Sequence, residues 1–517
     1  MIAAAASQPK TTGLRTPRCR ILTDFSDLEA LAQQWERLWA LDPRKEIFQH
    51  FGWARAWMRA FGKDHRLCTP VVYDGDDVVA ILPLVERQEK LCFIGYSTAD
   101  YNTLLSAPEF AAEALALALD TLFAARPRRW RKVVFEKVRE DAMLAQALTQ
   151  LPDRWRRLIQ VSRPTPCPLL ILRDEKEQLL AGILSKDKVK KTCKTILRLG
   201  NLSFRHLETA AEIREHLPRF AELHISRCVL DGRQSQFLRS DYNLFWSYLT
   251  EELDPSRQIR FSILELAGKP VAYHLGFEVD GKYLFYKPTF DVDLWDYSPG
   301  QVLLFKLFES FRSSDVVEFD MGEGPEPYKY RYANACRENL TFTVHAPGIA
   351  GRVMRACGQA VTEAQGRARM AIDRHPKLQT PAKWIEDAVA RRRRGILERA
   401  VGSRTYALPD AVDSRAVPEL RPVTLRLLAQ RAAHQPGFLT AGDLHGLRER
   451  LKKDSAVYAD GEWQYLVLAS RTGAAMVFTI LHEAGNSRAA LIQAMAEIAK
   501  QQGLPGLIAC KDRDKDK

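Results

Sequence analysis

One order of elements runs through this chain twice: two helices, a hairpin, a strand, a helix and a strand. In the first pass a helix is read from Asp24, where Leu28, Leu31, Trp35, Leu38 and Trp39 recur at spacings of three and four and Asp24 or Ser26 supplies the cap. A second helix holds Phe51, Trp53, Ala54, Trp57, Met58 and Phe61. The period then changes to two. Residues Cys68 to Tyr73 and Val78 to Val85 flank the hairpin signal Asp74-Gly75-Asp76-Asp77; a strand at Leu91 to Ile94, a helix at Ala111 to Ala125 and a strand at Lys132 to Phe135 follow. The second pass places helices at Ala210 to Cys228 and Tyr242 to Glu252. A hairpin comes next, Ile259 to Leu266 with Val271 to Val279, and then the strand Lys282 to Lys287, the helix Gly300 to Arg312 and the strand Val316 to Asp320. The passes share pattern rather than letters. This alternation predicts an α/β (α+β) fold: two modules of about 150 residues, each a mixed sheet flanked by helices.

Six segments follow from this reading. Residues 1–18 are a polar leader, 19–165 the first module and 166–348 the second. The second module opens after Pro164, Pro166 and Pro168 with a lysine-rich helix from about Ile183 to Leu199. Residues 349–402 read as basic helices, and 403–422, with Pro409, Pro418 and Pro422, as a linker. Residues 423–517 repeat the order more faintly. They show helices at Thr424 to Ala433, Ala441 to Leu451 and Ser487 to Gln501, and strands at Trp463 to Leu468, Ala474 to His482 and Leu507 to Cys510, as in a shortened third unit.

Composition narrows the function classes. With 46% hydrophobic and 27% charged residues the chain has ordinary globular usage. The longest apolar candidate, Leu104 to Ala125, is broken by Glu109, Glu113 and Asp120, and the start MIAAAASQPK lacks a basic stretch before an apolar run. Nine scattered cysteines without a C-x-x-C support neither a disulfide scaffold nor a zinc ribbon. The expectation is a cytoplasmic protein in a reducing compartment. Eleven histidines show no ligand spacing, so no metal is expected, and G-x-x-x-x-G-K-[ST], G-x-S-x-G and H-E-x-x-H are all missing. The net charge is +12, and residues 349–400 hold twelve basic against five acidic residues, including Arg391 to Arg394. Such a field suits nucleic acid, phospholipid heads or a phosphate-bearing cofactor; a solvated helix face has the same composition.

The stretch richest in chemistry is Tyr286 to Ala333. A strand ends near Lys287, and Ser298-Pro299-Gly300 opens a helix. Proline fits the first helical turn, and free amides with the helix dipole favour phosphate or pyrophosphate there. After the helix come the strand Val316 to Asp320, Gly322-Glu323-Gly324, and then Tyr328-Lys329-Tyr330-Arg331-Tyr332. Read as a strand, this last run puts Lys329 and Arg331 on one face and the tyrosines on the other, a paired cation face suited to phosphate or carboxylate. Glu323 between two glycines is the first candidate for a general base. Asp320 is read as orienting Lys329 or Arg331, Tyr286 as a candidate acid for a leaving thiolate, and His274 as a second candidate base in mid-strand; a turn carboxylate, a structural ion pair and core packing are the plainer roles for these groups.

Leu28, Leu31, Trp35 and Phe48 to Trp57, with Ser298-Pro299-Gly300, Phe319-Asp320-Met321-Gly322-Glu323-Gly324 and Tyr328-Lys329-x-Arg331, resemble the GNAT-like acetyltransferases of the CelD type, found with bacterial cellulose and exopolysaccharide operons. That family is related to the Fem-type peptidyltransferases. The resemblance covers roughly residues 20 to 345. It implies tandem GNAT-like modules with acyl transfer in the second, acetyl-coenzyme A as co-substrate held at Ser298, Pro299, Gly300 and Gln301, and an acceptor met by Tyr328, Lys329 and Arg331. The resemblance does not hand over an acceptor; the leading reading is an amino sugar of surface polysaccharide or its precursor, or another small molecule. The Fem-type relation keeps aminoacyl-tRNA open as donor, facing the stripe Lys190, Lys194 and Arg198; a catalytically silent scaffold for polysaccharide-synthesis proteins is the third reading. The basic segment 349–400 is the expected contact to a peripheral membrane or such a partner.

Overall fold

The computed structural model describes residues 16–360, apart from 126–129, 163, 231–234 and 350, and beyond residue 360 six strands with short stretches around them. The first pass folds as β1 (Pro17–Leu22), α1 (Phe25–Glu29), α2 (Ala32–Leu41), α3 (Phe51–Phe61), β2 (Arg66–Leu67), β3 (Thr69–Asp74), β4 (Asp77–Ile81), β5 (Leu84–Arg87), β6 (Lys90–Phe93), β7 (Leu105–Ser106), α4 (Ala111–Ala124), β8 (Lys132–Arg139), α5 (Met143–Gln150) and α6 (Asp153–Arg156). Asp24 does cap the first helix, accepting the Ser26 amide at 2.9 Å. Trp35, Leu38, Trp53 and Trp57 are buried, as their spacing requires. The single hairpin expected at 68–85 is divided. β3 and β4 pair in a four-stranded sheet with β1 and β7, whereas β2 and β5 pair in a second sheet. Pro83 sits between β4 and β5, where a missing N–H ends one ladder before the next begins.

The second pass folds as β9 (Ile159–Val161), β10 (Thr165–Ile171), α7 (Lys176–Leu184), α8 (Asp187–Leu197), β11 (Leu202–Leu207), α9 (Ala210–Leu230), α10 (Ser240–Glu252), β12 (Ile259–Leu266), β13 (Lys269–Val279), β14 (Lys282–Phe290), α11 (Pro299–Phe311), β15 (Glu318–Asp320) and β16 (Ala335–His345). The lysine-rich helix expected as one piece is two, α7 and α8, divided at Ser185 and Lys186. Twelve strands make one sheet in the order β11-β12-β13-β14-β15-β10-β16-β8-β6-β5-β2, with β9 against β16. Two neighbouring pairs in it are parallel, β14 with β15 and β6 with β8. The two passes therefore share a sheet. β16, from the end of the second pass, lies antiparallel to β8 just as β10 lies antiparallel to β15. One apolar core packs α4 and α5 on the first-pass strands through Leu115, Leu119, Leu122, Phe135, Leu144 and Leu148. In the second pass Phe308 and Phe311 of α11 pack on Phe319 of β15 and, for Phe311, on Tyr283 of β14.

Beyond residue 400 the described strands are β17 (Arg404–Tyr406), β18 (Arg421–Val423), β19 (Ser455–Ala459), β20 (Tyr465–Thr472), β21 (Ala475–Glu483) and β22 (Ile508–Lys511), in the order β17-β22-β21-β20-β19-β18. β21 and β22 are parallel, and the other four neighbouring pairs are antiparallel. Strand for strand this repeats β10-β15-β14-β13-β12-β11 of the second pass, including a first strand that returns to pair with the last. The expected linker at 403–422 thus contributes two strands. Residues 490, 491, 494, 495 and 498 are helical and buried, the face expected of the helix at Ser487 to Gln501. Arg391 to Arg394 and most of the helices expected at 424–433 and 441–451 lie outside the described residues.

Candidate active site

β14 and β15 pair over only three positions, Lys282 with Glu318, Tyr283 with Phe319 and Leu284 with Asp320. β14 then continues to Phe290. The chain after β15 keeps to β10 instead: the Met321 amide donates to the Pro168 carbonyl at 3.1 Å and the Gly324 amide to the Pro166 carbonyl at 2.9 Å. Two parallel strands thus part past Leu284 and Asp320. Gly322 lies at the parting with φ 71°, and a Cβ there would sit 3.8 Å from the Phe285 carbonyl and 3.9 Å from an Asp100 carboxylate oxygen. Glycine both permits that backbone and leaves the space free.

The helix α11 follows β14. Ser298 caps it in the left-handed region (φ 52°, ψ 49°) without a side-chain cap bond, and Pro299 takes the first turn. A left-handed residue before proline is doubly disfavoured, so this corner is strained, as functional loops often are. The Gln301 and Val302 amides both close on the Ser298 carbonyl, at 2.9 and 3.2 Å. The Gly300 amide and the Ser298 hydroxyl have no hydrogen-bond partner among the described residues, and they stand at the positive end of a 13-residue helix. This donor set fits one phosphate of a coenzyme; no cation stands in the first turn.

Around Gly322 the loop after β15 meets the first pass. Glu323 is half-buried, with its carboxylate 3.3 Å from the Lys137 ammonium, which also holds Asp100 at 2.7 Å. Burial would lower the Lys137 pKa, but the charges of Asp100 and Glu323 outweigh it and hold the group above its ordinary value. Lys137 has φ 56° and lies where the β8–β16 register slips, so a bulge aims its side chain at this cluster. The equivalent edge of the first pass is taken up by the chain itself. There the Asn102 amide donates to the Lys137 carbonyl at 2.8 Å and its side-chain amide to the Glu136 carbonyl at 3.0 Å.

The candidate residues fall into different environments. Asp320 does not orient Lys329 or Arg331. It is buried, takes the Tyr101 hydroxyl on both oxygens at 2.9 and 2.8 Å, and accepts the Gly322 amide at 2.7 Å. Burial pushes its pKa up to about 6, aided by the charge of Glu46 and opposed by those hydrogen bonds. Lys329 and Arg331 are not a strand face. Lys329–Arg331 is a 3-10 turn, because Pro325 and Pro327 remove ladder donors and Gly322 and Gly324 take positive φ. Lys329 is buried, and its ammonium reaches the Gly322 and Glu323 carbonyls at 3.1 and 2.8 Å and Glu326 at 2.9 Å, whereas Arg331 is exposed and Tyr328 half-buried. Lys329 therefore clamps the Glu323 loop from inside. Tyr286 lies within β14 rather than at its end; its hydroxyl donates to the Thr98 carbonyl and its ring packs near Phe48, Trp53 and Phe277. His274 is fully buried, stacked on Phe285 at 4.3 Å and 3.2 Å from the Tyr283 hydroxyl, and burial drives its pKa well below the usual value. It is a core histidine sealed from any acceptor. Asp100, Tyr101 and Lys137, which sequence reasoning missed, come from the first pass. Their only local signal is the broken alternation at Glu136-Lys137 in β8.

Residues 185–330 match the family model of the acetyltransferase (GNAT) domain, so the second pass carries a GNAT-like domain. No curated protein matches the chain. Among solved structures it is similar to FemX, at 11% identity over 63% of this chain and 97% of that one with a TM-score of 0.43. It is also similar to a tandem GNAT protein from the clavulanic acid biosynthesis pathway, at 14% over 64% and 99% with a TM-score of 0.40. L-PGS from Bacillus licheniformis matches at 14% over 65% and 97%, with a TM-score of 0.39.

Proposed function

We propose that this protein is an acyl-coenzyme A-dependent N-acyltransferase working in its second pass. The observation that carries the reading is the parting of β14 and β15, joined through the strained start of α11 and followed by Glu323, inside the segment that matches the GNAT domain. Acyl-coenzyme A, when bound, supplies a thioester carbonyl and a thiolate leaving group. The Gly300 amide and Ser298 hydroxyl hold a phosphate of it. Glu323 takes a proton from the acceptor ammonium so that the free amine can attack, and Lys137 keeps that carboxylate at the mouth. Asp320, Tyr101 and Lys329 fix the loop that carries Glu323. Among the described residues no group of three metal ligands occurs. The acceptor class we favour is an amino sugar or glycan precursor, which the acceptor screen below tests.

A second reading, Fem-like transfer from aminoacyl-tRNA, has one observation in its favour: Lys190, Lys194 and Arg198 on and just after α8 are all exposed and make no ion pair among the described residues. Calorimetry separates them. Acetyl-coenzyme A binds under the first reading; a salt-sensitive tRNA shift without coenzyme binding favours the second. If neither ligand binds and a polysaccharide-synthesis protein copurifies, the scaffold reading replaces both. An acceptor screen with labelled acetyl donor then identifies the amine.

A further inference from the structure

The helix at 351–360 is inverted. Its glycines face the protein: Gly351 is buried, with a hypothetical Cβ 1.8 Å from the Ala346 carbonyl, and a Cβ on Gly358 would lie 2.3 Å from the Gln160 side chain. The opposite face carries apolar side chains into solvent, with Ile349 74% exposed and Val353 55%, and Met354 on the flank is 43% exposed. Ala356 and Cys357 are exposed beside them. Positions 349, 353 and 357 advance by four, so they form one stripe along the helix. Arg352 and Arg355 flank that stripe on one side; Arg352 is exposed and Arg355 half-buried.

A helix that packs through glycine and exposes its largest aliphatic residues is not stabilised by that face in water. Exposed, contiguous apolar surface of this kind marks a binding face. Charge selects the occupant. Residues 349–400 hold twelve basic and five acidic residues, so the stripe begins a segment of sequence charge +7. An apolar stripe edged by arginine is the arrangement of a helix lying in the headgroup region of an anionic bilayer. No described helix is long and apolar enough to cross a membrane.

We infer that the helix at 351–360 is an interfacial anchor that docks the protein on anionic phospholipid. The inference stands apart from the acyltransferase reading, and its test does not use activity. The full chain is sedimented with vesicles of phosphatidylcholine alone and of phosphatidylcholine mixed with phosphatidylglycerol. The wild type binds the mixed vesicles, binds the neutral ones poorly and releases in high salt. The double variant Ile349→Glu/Val353→Glu, both sites being exposed, keeps the wild-type thermal melt and loses about tenfold or more in vesicle affinity. Failure of the wild type to bind anionic vesicles overturns the inference. So does a double variant that binds as well as the wild type, or a wild-type dimer in solution that the double variant abolishes, which would make a second copy the occupant.

Discussion

Asp320→Asn isolates the cost of a buried carboxylate at the hinge of the candidate site. Asp320 is held in the folded protein with a pKa of about 6 against an ordinary 3.8, chiefly by burial. The shift of about 2 pH units corresponds to roughly 3 kcal/mol of difference between folded and unfolded states. The sign follows from proton counting. Between about pH 4 and pH 6 the folded protein holds this proton and the unfolded chain does not, so raising the pH removes stability that is present in full below the unfolded value. Asparagine carries no such proton. Unfolding by urea, followed through the buried Trp35, Trp53 and Trp57 of the same body, therefore gives a stability gap between wild type and Asp320→Asn that moves against the wild type by about 2 kcal/mol from pH 4 to pH 7. Taking the difference between the two proteins cancels the other titrating groups. A gap that stays constant with pH, or moves in the opposite sense, refutes the assignment of Asp320 as a buried, reluctantly ionised acid.

Other outcomes follow from the same geometry. Glu323→Gln lowers the acyl-transfer rate by about 10²- to 10³-fold with coenzyme affinity nearly unchanged, measured by single-turnover kinetics beside calorimetry. Lys329→Ala leaves the Gly322 and Glu323 carbonyls without their ammonium partner and costs about 1–3 kcal/mol in urea unfolding, rather than acting through acceptor KM alone. Tyr101→Phe removes the hydroxyl shared by both Asp320 oxygens, costs about 1.5–3 kcal/mol near neutral pH, and has a smaller effect at acid pH where Asp320 is neutral.

Much of the architecture was legible because helix and strand periods rest on burial, which acts locally. Trp35 and Trp57 fit helical spacing because each fills a buried face, and Cys68 to Tyr73 and Val78 to Val85 read as strands because their apolar runs are buried in sheets. Pro83 carried the signal that this hairpin divides, yet a proline inside a continuous apolar run does not by itself say which ladder ends. The run Tyr328 to Tyr332 misled for a related reason. Its alternation of cation and aromatic imitates a strand, while Pro325, Pro327 and two positive-φ glycines just before it dictate turns. The residues around Glu323 were only half visible. Asp320 and Lys329 stand beside it in the sequence, but Tyr101, Asp100 and Lys137 reach it across the shared sheet, and pairing at that separation leaves no periodic trace. The parallel order of β21 and β22, with β17 closing on β22, was foreshadowed only as a faint repeat, because the strands at 404–406 and 421–423 are too short to show a period.

The central claim is that a coenzyme thioester binds at the start of α11, the helix that joins the parting strands. Calorimetric titration of acetyl-coenzyme A into the full chain and into Gly300→Glu tests it most directly, since a carboxylate at that position opposes a phosphate on the Gly300 amide. The wild type is predicted to bind and the variant to lose binding while keeping its melt. A wild type that gives no binding, or a variant that binds equally tightly, contradicts it.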